Sequence, residues 1–199
     1  MKKFLLLFIL IYCEKVSSQN WIWAKSGYGQ YGSDEGYGVA TDALGNVYTT
    51  GAFQSSPLVL GTYSLTNSGS FDIFIAKYGP TGNVLWAKGV TGTSDDYGNS
   101  ITSDASGNVY ITGLFHSPTM TFGTYTVTNA GNYDIFIAKY NSSGTVLWAK
   151  SIGGNNRDEG TSVTTDFSGN VYITGGLCSS PVTIGAELPP FYLIQSCKV

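Results

Sequence analysis

The sequence predicts an all-β fold of β-propeller blades, each with four antiparallel strands and about 62 residues. Three observations support this prediction: a long unit recurs three times, each unit contains four strand-like segments, and one segment is apolar on both faces. A closed propeller has roughly four to eight blades. Because the chain supplies about three, we expect an incomplete ring.

Several separate motifs define the repeat. Trp23-Ala24-Lys25 returns as Trp86-Ala87-Lys88 and as Trp148-Ala149-Lys150, so that units end near Lys25, Lys88 and Lys150. Residues 42–48 return at 104–110 and 166–172, and the segment DIFIAKY at 72–78 returns unchanged at 134–140. Self-similarity of this length is typical of propellers and other repeat architectures.

Each unit reads as four strands. In the first unit we expect them near 38–41 and at 47–53, 72–78 and 84–88, with two short apolar stretches at 58–60 and 63–66. The turn at 42–46 starts with Asp42 and contains Gly45, which suits a short hairpin loop.

The third strand separates the propeller from its main alternative. Residues 73–76 are consecutive and apolar, whereas a half-buried strand alternates polar and apolar residues. Neighbouring blades would cover both faces of such a strand. A β-sandwich is the alternative, but it would not need the same long unit three times.

The N-terminus has the three parts of a signal peptide. Lys2 and Lys3 precede an apolar run at 4–12, which is too short to span a bilayer, and small residues follow at 16–18. We expect cleavage after Ser18 and a secreted, extracellular or cell-surface protein. A lipoprotein signal with Cys13 as the modified residue is the alternative.

The repeats are expected to occupy residues 19–185. Residues 20–25 align with 83–88, so a strand at 21–25 would complete the last blade of a ring. Residues 186–199 match nothing upstream. Either the chain is a fragment or frameshifted copy of a longer protein, or it is a natural short chain that closes by self-association through its open blade edges.

Charge and cysteines limit the partners. The net charge is −3 and no basic stripe occurs, which argues against nucleic acid and anionic membranes as partners. Beyond Cys13, the cysteines are Cys178 and Cys197. They could pair in an oxidising compartment, but we favour two unpaired thiols, because sequence gives no distance between them.

The recurring residues are best explained by the fold. We expect Trp23, Trp86 and Trp148 to form blade-interface core, with carbohydrate stacking as the minority interpretation. We expect Asp42, Asp104 and Asp166 to accept backbone N–H groups in their turns. A calcium role, helped by Asp34, Asp96 and Asp158, is less favoured, because no turn has the alternating carboxylates of a calcium loop.

Two further motifs carry little weight. Residues 27–32 match GxGxxG, but no helix follows, as dinucleotide binding requires. His116 is the single histidine and has no nearby acid or cysteine in the sequence, so we expect a loop residue. The sequence therefore predicts no catalytic residue, no cofactor and no metal site.

The residues that vary between units are the better candidates for function. They include Arg157, Glu35, Glu159 and Asp95. Six tyrosines outside the core motifs could form a binding rim, although packing under the loops is the favoured interpretation. These are Tyr28, Tyr31, Tyr37, Tyr63, Tyr97 and Tyr125.

The recurring motifs, in this order, resemble the SBBP β-propeller repeats of secreted and cell-surface bacterial proteins, commonly of the Bacteroidetes type. The resemblance runs from Trp21 to about Gly185 and implies a propeller fold without shared catalytic residues. We expect a non-catalytic binding or scaffold module for a protein or glycan. The alternatives are an extracellular enzyme whose site needs missing blades, and a non-functional fragment.

Overall fold

The computed structural model describes residues 22–184 and 191–195. The predicted signal peptide at 1–18 and most of the tail at 186–199 lie outside these residues. Within the described part of the chain, no helix is long and apolar enough to cross a membrane.

Blade 1 is a four-stranded antiparallel sheet with the order β2-β3-β6-β7. Its strands are β2 (Asp34–Thr41), β3 (Val47–Phe53), β6 (Asp72–Tyr78) and β7 (Val84–Val90). A short hairpin of β4 (Leu58–Leu60) and β5 (Tyr63–Leu65) connects β3 to β6, and β1 (Tyr28–Gly29) pairs with β4. The first and last strands are longer than the sequence predicts.

Blade 2 repeats this arrangement with the order β8-β9-β12-β13. Its strands are β8 (Asp96–Ser103), β9 (Val109–Phe115), β12 (Asp134–Tyr140) and β13 (Val146–Gly153). The connecting hairpin is β10 (Thr119–Phe122) with β11 (Tyr125–Thr128), and β16 (Thr183–Ile184) pairs with β13.

Blade 3 contains β14 (Asp158–Thr165), β15 (Val171–Leu177) and β17 (Phe191–Gln195). The strand β17 pairs with β15 in parallel, whereas the corresponding third strand of blades 1 and 2 is antiparallel to its neighbour. A tail segment unlike the repeat therefore occupies the third-strand position.

Apolar clusters lie on the blade faces, which confirms the expected two-sided burial. All seven residues of β6 are buried. Ile73 and Ile75 pack with Ile111 of blade 2 in one cluster, whereas Phe74 and Ala76 belong to a second cluster on the other face of blade 1. Together with the repeated antiparallel sheets, this packing defines an open, incomplete β-propeller.

Residues 22–25, most of the predicted strand at 21–25, form no strand. That strand was expected to complete the last blade of a closed ring, and the described blades form an open one. One expectation is wrong. Cys178 is disulfide-bonded, contrary to the favoured unpaired thiol, and its partner lies outside the described residues. Only the folded chain brings two distant cysteines within bonding distance, which sequence spacing does not show.

Candidate functional site

The three aspartate turns lie at one end of the blades and are held by the same bonds. The carboxylate of Asp104 accepts the backbone N–H groups of Ser106 at 2.9 Å and Asn108 at 2.8 Å, the side-chain amide of Asn108 at 2.8 Å and the hydroxyl of Tyr110 at 3.1 Å. Asp42 and Asp166 accept the corresponding four bonds. The predicted turn role is confirmed.

These bonds govern the ionisation of the turn carboxyls. Burial alone acts to raise the pKa of Asp104, but the hydrogen bonds from Asn108, Tyr110 and Ser106 outweigh it and lower that pKa below its usual value. The three turns surround a cleft of about 280 Å³. Because the carboxylates that line it already accept several donors, we assign them to the fold.

The second set of aspartates braces the opposite end of the blades. Asp96 accepts the backbone N–H groups of His116 at 3.0 Å and Ser117 at 3.1 Å, and the Ser117 hydroxyl at 2.6 Å. Asp34 with Ser55, and Asp158 with Ser179, repeat this arrangement. The sequence analysis missed the serine partners, although they too recur at the repeat spacing.

Donors rather than acceptors surround these aspartates, which is unsuited to a cation that takes six to eight oxygen ligands. Among the described residues, no group of three or more His, Cys, Asp or Glu side chains could hold a metal ion.

Trp86 and Trp148 pack at the blade interfaces, as predicted, whereas Trp23 packs against blade 1 alone. Trp86 is buried, and Trp23 and Trp148 are half-buried against neighbouring apolar clusters. The indole N–H of Trp86 donates to the Ser142 carbonyl of blade 2 at 3.2 Å. Although it is outside any strand, Trp23 makes the corresponding bond to the Pro80 carbonyl of blade 1 at 3.0 Å.

A backbone bond joins successive blades at the end opposite the aspartate turns. The N–H of Asp96, at the start of β8, donates to the carbonyl of Phe71 at 2.8 Å, and the N–H of Asp158 donates to Tyr133 at 2.7 Å. These bonds place the first residues of each blade beside the third strand of the preceding blade. Residues that vary between units meet at both junctions.

The first junction, between blades 1 and 2, carries an aromatic cluster with two acids. The rings of Phe71 and Tyr97 are 5.3 Å apart, and those of Tyr37 and Tyr97 are 6.4 Å apart. The Tyr37 hydroxyl donates to Glu35 at 2.6 Å. We call Glu35, Tyr37, Phe71, Asp95 and Tyr97 the first junction cluster.

The second junction, between blades 2 and 3, has the same positions with different chemistry. The guanidinium of Arg157 lies 4.6 Å from the centre of the Tyr133 ring and forms an ion pair with Glu159 at 3.1 Å. His116 stacks on the same ring with a centroid distance of 4.7 Å. We call His116, Tyr133, Arg157 and Glu159 the second junction cluster.

Two acids, Asp95 and Glu35, give the first junction cluster negative charge. Burial, then the charges of Asp95 and Glu35 and the nearby Tyr133, raise the pKa of Tyr97, while Arg157 acts to lower it. Burial, followed by the bond to Glu35, raises the pKa of Tyr37 to about 12. Both phenols therefore stay protonated at neutral pH, in a field that favours cations.

The structure divides the tyrosines named from sequence. Tyr37 and Tyr97 join the first junction cluster, whereas Tyr63, in strand β5, packs against an apolar cluster of blade 1 and donates to the Leu85 carbonyl at 2.6 Å. Tyr28, Tyr31 and Tyr125 are exposed elsewhere.

Two ring positions of the clusters, Phe71 and Tyr133, were missed. They stand next to the identical DIFIAKY segments and differ from each other, so comparison of the units could have found them. His116 lies in a loop as expected, and residues 27–32 contain the short strand β1.

Successive blades with equivalent contacts define a β-propeller repeat protein, and comparison with known proteins agrees. Residues 85–114 and 147–175 match the SBBP family, described as a beta-propeller repeat. A WD repeat-containing protein of Acanthamoeba polyphaga mimivirus is 29% identical over 159 residues, which cover 72% of this chain. The match spans 11% of that relative's length.

Proposed function

We propose that this chain is a non-catalytic binding or scaffold module that is secreted or held at the cell surface. Its ligand, a protein or a glycan, would contact the two junction clusters. We call the end of the blades that carries both clusters the variable face.

The observation that carries the proposal is that the recurring residues hold the fold together, whereas the varying residues gather at one end of the blades. The recurring aspartates and Trp86 are engaged in hydrogen bonds within turns and between blades. The varying residues Tyr97, Asp95 and Arg157 instead lie at one end of the blades. Partly exposed aromatic and arginine side chains are enriched where proteins bind partners.

The chemistry of this face supports binding rather than catalysis. The single histidine stacks on Tyr133, and Arg157 is paired with Glu159. The serine hydroxyl of Ser117 donates to Asp96 and accepts the backbone N–H groups of Thr93 and Ser94, as a structural brace does. Secretion is supported by the basic, apolar and small-residue pattern of residues 1–18.

Glycan and peptide arrays, run beside a panel of hydrolase substrates, test the proposal. Tyr37→Ser is the test variant and Tyr125→Ser is the matched control, because Tyr37 is 44% and Tyr125 39% exposed, and Tyr125 lies in β11 outside both clusters. Binding that Tyr37→Ser weakens and Tyr125→Ser leaves unchanged is the expected result. Turnover of any substrate, or equal loss of binding in both variants, would contradict it.

A further inference from the structure

The two junction clusters share three repeat positions, and the charge is reversed at one of them. Arg157 is the counterpart of Asp95, Tyr133 is the counterpart of Phe71, and Glu159 is the counterpart of Tyr97. At the second junction the aromatic ring already has a cation, because the Arg157 guanidinium lies 4.6 Å from its centre. That distance is within the range in which a cation is attracted to an aromatic face.

At the first junction, no described lysine or arginine lies over the rings as Arg157 does at the second, although the charge of Arg157 acts on Tyr97 from the neighbouring junction. Phe71 and Tyr97 pack against each other with ring centres 5.3 Å apart, and both residues are only half-buried, so part of each stays accessible. Asp95 supplies a carboxylate at the position where the next unit supplies a guanidinium. Among the described residues, the one salt bridge within 4.0 Å joins Arg157 to Glu159, so Asp95 is in no such ion pair.

We propose that the first junction cluster binds an arginine or lysine side chain from a basic segment of a protein partner. The inference rests on the proposed function and names the ligand chemistry of the same face. The partner's cation would lie against Phe71 or Tyr97, as Arg157 lies against Tyr133, with Asp95 and Glu35 supplying the opposing charge. Aromatic rings and carboxylates together favour a cation more strongly than either does alone.

The partner is a protein rather than a glycan. Most glycans are neutral or acidic and would not be attracted by the carboxylates of Asp95 and Glu35. The acidic net charge of −3 favours association with a basic partner in general. The rings add a preference that depends on the first junction itself. A glycan is therefore an outcome of the test and not part of the proposal.

Titration with N-acetyl-tetraarginine amide, followed by NMR signals of the Tyr97 and Phe71 rings, tests the inference. Asp95→Arg places a guanidinium of the chain itself at the first junction, so we expect binding to weaken by about tenfold or more. Asp95→Asn removes only the charge and should weaken binding less. Tetraglutamate of the same length should leave the ring signals unchanged.

The charge-matched control is Ser106→Arg with Ser168→Arg. Both serines are exposed in the aspartate turns at the opposite end of the blades, and the pair changes the net charge by as much as Asp95→Arg does. Affinity close to wild type is expected for this double variant, and thermal melts establish that all variants fold. Equal weakening in the control, or unchanged binding in Asp95→Arg, would overturn the inference.

A variant that should gain binding at the second junction complements the variants that should lose binding at the first. Arg157→Asp gives the second junction the charge pattern of the first, so we expect tetraarginine to shift the Tyr133 signals as well. No such shift would contradict the equivalence of the two positions. If wild type ignores tetraarginine but binds an array ligand through Tyr37, this inference fails while the proposed function stands.

Discussion

The Ser142 carbonyl of blade 2 accepts both the indole N–H of Trp86 and the ammonium group of Lys77, each at 3.2 Å. Both donors belong to blade 1, so a single acceptor fixes the relative position of two blades. The Lys77 ammonium also lies 5.0 Å from the centre of the Tyr48 ring, and Tyr48 in turn contacts Trp86. Polar and aromatic contacts thus reinforce the apolar interface between the blades.

Replacement of Trp86 should therefore lower the free energy of unfolding more than replacement of an exposed neighbour. Trp86→Ala removes a buried aromatic side chain and leaves a cavity, which typically costs about 3–5 kcal/mol. Leu85→Ala is the control, because Leu85 is 42% exposed. Chemical denaturation measures both free energies of unfolding, and similar losses for the two variants would remove Trp86 from the core.

The aspartate turns predict a defined dependence on pH. Asp104→Asn should lower stability by about 2 kcal/mol at pH 7, because the carboxylate accepts several hydrogen bonds as a charged group. The pKa of Asp104 is lower in the folded chain, so its stabilisation is present above the unfolded value of about 3.9 and is lost as pH falls through the folded value.

Denaturation at several pH values checks the prediction. The difference between wild type and Asp104→Asn should shrink below about pH 4. Ser106→Ala, an exposed change in the same turn, is the control and should behave like wild type throughout. A difference that is independent of pH would show that the ionised carboxylate contributes nothing.

Asp72 and Asp134 occupy equivalent positions, but replacing each of them with asparagine should affect stability differently. Asp72 accepts N–H groups at both oxygens, from Ser68 at 2.7 Å and Gly92 at 2.9 Å. Asp134 accepts Ala130 at 2.8 Å, but its buried Oδ1 has no hydrogen-bond partner, because Gly154 donates to Asp158 instead. Burial raises the pKa of both carboxyls, and at Asp134 the charge of Asp158 acts in the same direction.

Asp72→Asn should therefore cost roughly 1–3 kcal/mol, since it turns an amide donor toward the Gly92 N–H. Asp134→Asn should cost less or stabilise the fold at pH 7, because it removes a buried charge that has one unpaired oxygen. Its advantage over wild type should fade as pH falls through the raised pKa of Asp134 toward the unfolded value of about 3.9, because the wild-type carboxyl then loses its charge as well. Equal losses in both variants at pH 7 would contradict this account.

The sequence predicts the strands and turns that depend on local residue pattern. It does not predict the contacts that form between different repeat units. Four consecutive apolar residues were enough to predict the two-sided burial of β6, and Asp42 with Gly45 predicted the turn. The first junction cluster joins residues of different units, which the bond from Asp96 to Phe71 brings together. The parallel pairing of β17 could not be predicted either, since its sequence has no counterpart upstream.

The contact between Phe71 and Tyr97 tests the central claim most directly, because these residues belong to different blades. Their ring centres are 5.3 Å apart, close enough for nuclear Overhauser effects between ring protons. A NOESY spectrum of the full chain should show cross-peaks between these two rings and between Tyr48 and Trp86. Cross-peaks within each unit, with none between Phe71 and Tyr97, would contradict blades packed side by side with their varying residues at one end.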